Sequence, residues 1–70
     1  MLIGIKIKLL REKHHLTQED LSKKLHISRQ SISKWEQGIS VPQITMIKEL
    51  VEIFNCTYDE LLDDKVEMRL

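Results

Sequence analysis

The stretch TQEDLSKKLHISRQSISKWEQG, from Thr17 to Gly38, decides how this chain folds. Thr17 is followed three residues on by Asp20, the spacing at which a cap hydroxyl and an acid satisfy each other's backbone N–H groups. Leu21 and Leu25, four apart, then give a short helix over about residues 18–25 a single buried face. Ser28 offers a second cap after His26 and Ile27. Ile32 and Trp35, three apart, form the inner face of the helix that follows. Gly38 stops that helix, because glycine takes the left-handed conformation past a last turn at no steric cost. The stretch therefore reads as two short capped helices about three residues apart.

The same periodicity continues on both sides. Upstream, Ile3, Ile7 and Leu10 recur at i, i+4 and i+7, the stripe of an amphipathic helix over about residues 3–14. It stops at His14-His15, where His15 is expected to take the left-handed conformation. Downstream, Gly38 to Pro42 is a loop, since a residue before proline is pushed away from helical geometry. Ile44, Ile47, Leu50, Val51 and Phe54 make the strongest stripe in the chain, on a helix from about Gln43 to Phe54. Asn55 and Cys56 turn the chain, Thr57 caps, and Tyr58 to Leu62 form a short fifth helix. No run alternates as a strand would, and no segment repeats. The expected fold is all-α: one compact five-helix domain over residues 1–62, then a charged C-terminal tail over 63–70.

Composition narrows the function. The 70 residues are 41% hydrophobic and 31% charged, too apolar for a disordered tail and short for more than one domain. So small a body leaves little room for a deep catalytic cleft. No spacing brings nucleophile, base and orienting group together. His14 and His15 are adjacent and point apart on a helix, whereas a zinc pair wants i, i+4. No catalytic residue, metal, cofactor or small-molecule substrate is expected. Cys56 reads as a small buried hydrophobe, and a lone cysteine fits a reducing compartment. No apolar run approaches the ~18 residues of a membrane span, and no signal-peptide layout precedes the domain. The expected location is the cytoplasm.

Net charge is zero, but it is sorted. Residues 1–40 carry eight Lys/Arg against four acids, net +4; residues 41–70 carry three against seven, net −4. A polyanion can dock on the first half without facing the second. Two capped helices joined by a short turn form a helix-turn-helix, whose second helix offers its outer side to the major groove of DNA. With Ile32 and Trp35 inward, the outer arc holds Arg29, Gln30, Ser33, Lys34 and Gln37, and no acid. Arginine reads guanine bidentately, glutamine reads adenine, and lysine reads guanine or a phosphate.

The run LREKHHLTQEDLSKKLHISRQSISKWEQG, then P-x-I-x-x-I-x-x-L at Pro42 to Leu50 and FNCTYDELL at Phe54 to Leu62, resembles the Cro/CI-type (XRE) helix-turn-helix family of repressors. The resemblance covers about residues 3–62. It implies a lambda-repressor-like five-helix DNA-binding domain, sequence-specific binding of double-stranded DNA, and a homodimer on a two-fold-symmetric operator. It also implies roles. Arg29, Gln30, Ser33 and Lys34 match base-reading positions. Gln18 matches a phosphate contact that also braces the recognition helix, and Ser28, Ser31 and Gln37 match positions near the DNA backbone. Arg11 and Glu36 match a salt bridge between the first and third helices.

This chain departs from the family pattern at several points. His15 stands where the family often has Gly, and Ser22 where it often has Ala. Ile39, Ser40 and Val41 fill a loop that is basic in several phage repressors. Ile5 and Leu9 add apolar character to a helix face that is often polar. Apolar residues of the fifth helix, Tyr58, Leu61 and Leu62, are the expected dimer contact, set in the acidic half that is useless against DNA. The simplest function is a transcriptional repressor. The rival is an antitoxin or immunity-type regulator that mainly binds a protein, for which Ile5, Leu9, Val66, Met68 and Leu70 are the candidate surface.

Overall fold

A computed structural model describes residues 2–63. Among them are five helices and no strand: α1 (Ile3–Lys13), α2 (Gln18–Leu25), α3 (Arg29–Gln37), α4 (Ile44–Phe54) and α5 (Tyr58–Leu62). The charged tail expected after residue 62, with Val66, Met68 and Leu70, lies almost wholly outside the described residues.

Side-chain caps set three of the helix starts. Thr17 and Asp20 form a full capping box on α2, with Thr17 N–H donating to Asp20 Oδ2 at 2.9 Å and Asp20 N–H to Thr17 Oγ1 at 3.0 Å. Thr57 and Glu60 repeat it on α5, and Ser28 Oγ accepts Ser31 N–H on α3. Left-handed residues follow the first four helices: His15 and His26 at φ 58°, Gly38 at φ 76° and Asn55 at φ 50°. His15 therefore does take the conformation in which the family often uses Gly.

Both capping carboxylates are held below the ordinary carboxylate range, first by the backbone N–H of Thr17 or Thr57 that each accepts. A folded-state pKa below the unfolded value contributes stability at higher pH that is lost as pH falls through the folded value. Acid should therefore loosen α2 and α5 at their starts. Circular dichroism on acid titration should show a shallower loss of helicity in the Asp20→Asn, Glu60→Gln double variant than in the wild type. An unchanged acid limb would mean that the boxes do not stabilise the fold.

The core draws on every helix: Ile3, Ile7 and Leu10 of α1, Leu21 and Leu25 of α2, Ile32 and Trp35 of α3, Ile47, Leu50, Val51 and Phe54 of α4, and Leu61 of α5. α1 packs against α3 and α5, α2 against α3, and α4 against α5. His14 ties the end of α1 to α4. Its Nδ1–H donates to Leu10 O at 2.8 Å and its ring lies 5.6 Å from that of Phe54.

Three placements differ from what local pattern suggests. Ile44 belongs to the stripe of α4 by spacing but is exposed, although Ile47 in the same turn is buried. Lys6, counted with the solvated cations of the positive half, is buried and donates from Nζ to Glu60 O at 3.1 Å, tethering α1 to α5. Gly4 is enclosed where α1 meets α3. A Cβ there would collide with the Trp35 carbonyl oxygen and lie 3.1 Å from Trp35 C and 3.3 Å from Glu36 Cα. Backbone meets backbone at that point, which only glycine permits.

Candidate nucleic-acid interface

The unit from Gln18 to Gln37 is positioned by a single polar node. Arg11 reaches from α1 and holds Glu36 of α3 with two parallel bonds, Nε to Oε2 at 2.7 Å and Nη2 to Oε1 at 3.0 Å. Its remaining nitrogen, Nη1, donates to Leu16 O at 2.8 Å, in the turn before α2. Gln18, at the start of α2, donates from Nε2 to Glu36 Oε1 at 3.0 Å. The Arg11 and Glu36 side chains are only 10% and 5% exposed. Hydrogen bonding to Glu36 is the main reason that the guanidinium is held even more firmly charged than usual. Such a bidentate, charge-assisted pair fixes orientation as well as distance. The expected Arg11–Glu36 bridge is present, and so is the bracing of α3 by Gln18. The link to Leu16 was not legible beforehand, since a carbonyl carries no sequence signal.

The node sorts charge on α3. Glu36, the one acid of that helix, is turned inward, while Ile32 and Trp35 face the core. Arg29, Gln30 and Lys34 are exposed on the other side, with Ser33 half-buried beside them. Gln37 donates from Nε2 to Ser33 Oγ at 2.7 Å, so these two outer residues share one hydrogen bond. At the start of α3, the Ser28 and Ser31 hydroxyls lie 3.1 Å apart at the capped end. Lys23 and Lys24 are exposed in the last turn of α2, where cations complement the helix dipole.

The turn itself is compact. His26, left-handed, and Ile27, half-buried against the core, lead into the Ser28 cap. Ser22, where the family often has Ala, is buried next to it, its hydroxyl donating to Glu19 O at 2.7 Å. That bond explains why a serine is accommodated there. Cys56, half-buried between α4 and α5, is raised above the ordinary thiol range chiefly by burial, which favours the neutral, unreactive form. No cluster of His, Cys, Asp or Glu among the described residues is placed to hold a metal ion. None of the described helices is long and apolar enough to cross a membrane.

Two short helices held at a fixed angle, the second with its cations outward and its acid inward, define a helix-turn-helix domain. The sequence profile of the helix-turn-helix family matches residues 7–61, and the chain belongs to that family. Among curated relatives it is similar to the HTH-type transcriptional activator BcrR of Enterococcus faecalis, 44% identical over 57 residues, which are 81% of this chain and 28% of BcrR. It is similar to the antitoxin PezA of Streptococcus pneumoniae, 36% identical over 66 residues, 93% of this chain and 42% of PezA. An HTH-type transcriptional regulator of Methanocaldococcus jannaschii is 38% identical over 56 residues, 80% of this chain and 85% of that protein. The chain thus spans less than half the length of BcrR and of PezA. At the level of the domain, it is a helix-turn-helix of the DNA-binding regulator type.

Proposed function

We propose that the chain reads a two-fold-symmetric operator in double-stranded DNA as a homodimer and, by covering a promoter in the cytoplasm, represses it. The observation that carries this reading is the inward turn of Glu36, which leaves Arg29, Gln30, Ser33 and Lys34 on the outer side of α3 with no carboxylate of that helix among them. The positive half of the chain steers the approach. Phosphates are then held by Gln18, Ser28, Ser31 and Gln37 together with the N–H groups that open α2 and α3. A glutamine amide has two N–H donors, so Gln18 can keep one on Glu36 and give the other to a phosphate. Arg29, Gln30, Ser33 and Lys34 read base edges in the major groove. On α5, Leu61 packs entirely into the chain's own core, which leaves half-exposed Tyr58 and the edge of Leu62 to meet a second copy.

The test is selection of bound sites from random duplexes, followed by binding curves on matched and mismatched sequences. Arg29→Ala should lose about 1–3 kcal/mol on the selected site and relax preference at one base pair. Lys34→Ala should do the same if it reads a base. If it meets a phosphate instead, it should weaken all sequences equally and lower the salt slope by about one. Retention of both affinity and preference by Arg29→Ala would remove α3 as the reader.

The similarity to an antitoxin along 93% of the chain favours a second reading, in which the domain mainly binds a protein. Failure of the selection to enrich any site, with a partner protein retained by the purified chain, would favour it.

A further inference from the structure

The serine hydroxyls of α2 and α3 are used in different ways. Inside a helix, a serine hydroxyl commonly donates back to a carbonyl three or four residues earlier. Ser22 does so, donating to Glu19 O at 2.7 Å. Ser33 does not. Its Oγ instead accepts Gln37 Nε2–H from the next turn at 2.7 Å, and among the described residues its own proton goes to no acceptor. Ser33 is half-buried on the outer side of α3, beside exposed Arg29, Gln30 and Lys34, so that proton is left for whatever α3 meets.

The donor on Gln37 changes what that hydroxyl offers. A hydroxyl has one proton and two lone pairs. With one lone pair already engaged, the oxygen is polarised, and the group becomes a stronger donor and a poorer acceptor. The bond also holds both side chains in one geometry before DNA arrives, which lowers the ordering cost of binding. We infer that Gln37 is a specificity-determining positioning residue, which sets Ser33 as a donor and so selects a base edge that carries an acceptor. In the major groove that favours guanine, which shows only acceptors there, or thymine through O4. It disfavours cytosine, which shows only an amino donor. The inference deepens the reading of α3 in the preceding subsection and rests on it. Gln37 keeps its phosphate, because the amide has a second N–H, so one side chain joins a backbone contact to a base contact.

Binding curves of the whole chain on duplexes that differ from the selected site at single base pairs test this. Ser33→Ala should lower the preference at one base pair, guanine or thymine over cytosine, by about three- to tenfold, the worth of one hydrogen bond. Gln37→Met keeps the length of the side chain and removes its donor. It should weaken all duplexes by a common factor, through the phosphate, and should also lower the preference at the base pair that Ser33 reads. In the Ser33→Ala background, adding Gln37→Met should change that preference no further, because the two side chains act as one unit. Helicity and melting of these variants should stay close to wild type, since an i, i+4 pair on the outside of a helix contributes little to its stability. A Gln37→Met variant that weakens all duplexes equally and keeps every preference overturns the inference. So does a preference for cytosine at the base pair that Ser33→Ala relaxes. In both cases, relaxation by Arg29→Ala at a base pair of its own would show that α3 still reads the site. Unchanged preference in Arg29→Ala, Ser33→Ala and Gln37→Met alike would instead remove the reading on which the inference rests.

Discussion

Arg11→Met should cost about 3–5 kcal/mol of stability, and Glu36→Gln a similar amount. The pair is nearly enclosed, with side chains 10% and 5% exposed, so removing one partner strands the other charge away from water. The loss extends beyond the pair. Without Arg11, the Leu16 carbonyl loses its donor; without the Glu36 carboxylate, Gln18 and Arg11 both lose their acceptor. A domain of this size has only about 5–10 kcal/mol of stability to lose, so either variant should be close to unfolding at physiological temperature. The Arg11→Met, Glu36→Gln double variant should be less damaged than the two single losses added together. Denaturant melts of the four species give the coupling energy, and losses that simply add would show that the two side chains do not cooperate. Fitted DNA affinities should fall by more than the fraction folded accounts for, because the node orients the reading helix and holds Gln18, the proposed phosphate contact.

Gly4→Ala should destabilise the domain by about 2 kcal/mol or more, although the substitution favours α1 as a helix by about 1 kcal/mol. The two effects have opposite signs, which makes the outcome diagnostic. The added Cβ meets the main chain of α3 at Trp35 and Glu36. No flexible side chain stands there to move aside. α1 must therefore back away from α3, loosening Ile3 and Ile7 in the core and stretching the Arg11–Glu36 bonds. Overpacking of this kind typically costs 1–3 kcal/mol, occasionally more. For a domain this small, each kcal/mol lowers Tm by roughly 4–8 °C. A melt in which Gly4→Ala raises Tm would show that the helices have room to separate at no cost.

The helices themselves were legible because their signals are local. Thr17 with Asp20, and Thr57 alone, announce helix starts, and His15 and Gly38 mark the stops. Leu21 with Leu25 and Ile32 with Trp35 show which sides face inward. The outer arc of α3 follows by subtraction, so Arg29, Gln30 and Lys34 are found without any structure. Arg11 and Glu36, 25 residues apart, were accessible only through the family resemblance.

The sequence by itself determined that the described residues make five helices in this order, and which face of each is apolar, because hydrogen bonding and capping within a helix depend on neighbours at most four or five residues away. It also determined the split of charge between the two halves. Tertiary structure alone decided the rest, because burial depends on what lies opposite in space. Spacing puts Ile44 on the apolar stripe, but the described residues leave it exposed. Lys6 has the look of a solvated cation until α5 closes over it and its ammonium finds the carbonyl of Glu60, 54 residues away. Gly4 reads as a weak point in a helix until the backbone of α3 fills the space where its Cβ would be. In each case the partner is remote in the chain, and no local pattern encodes the distance at which two helices settle.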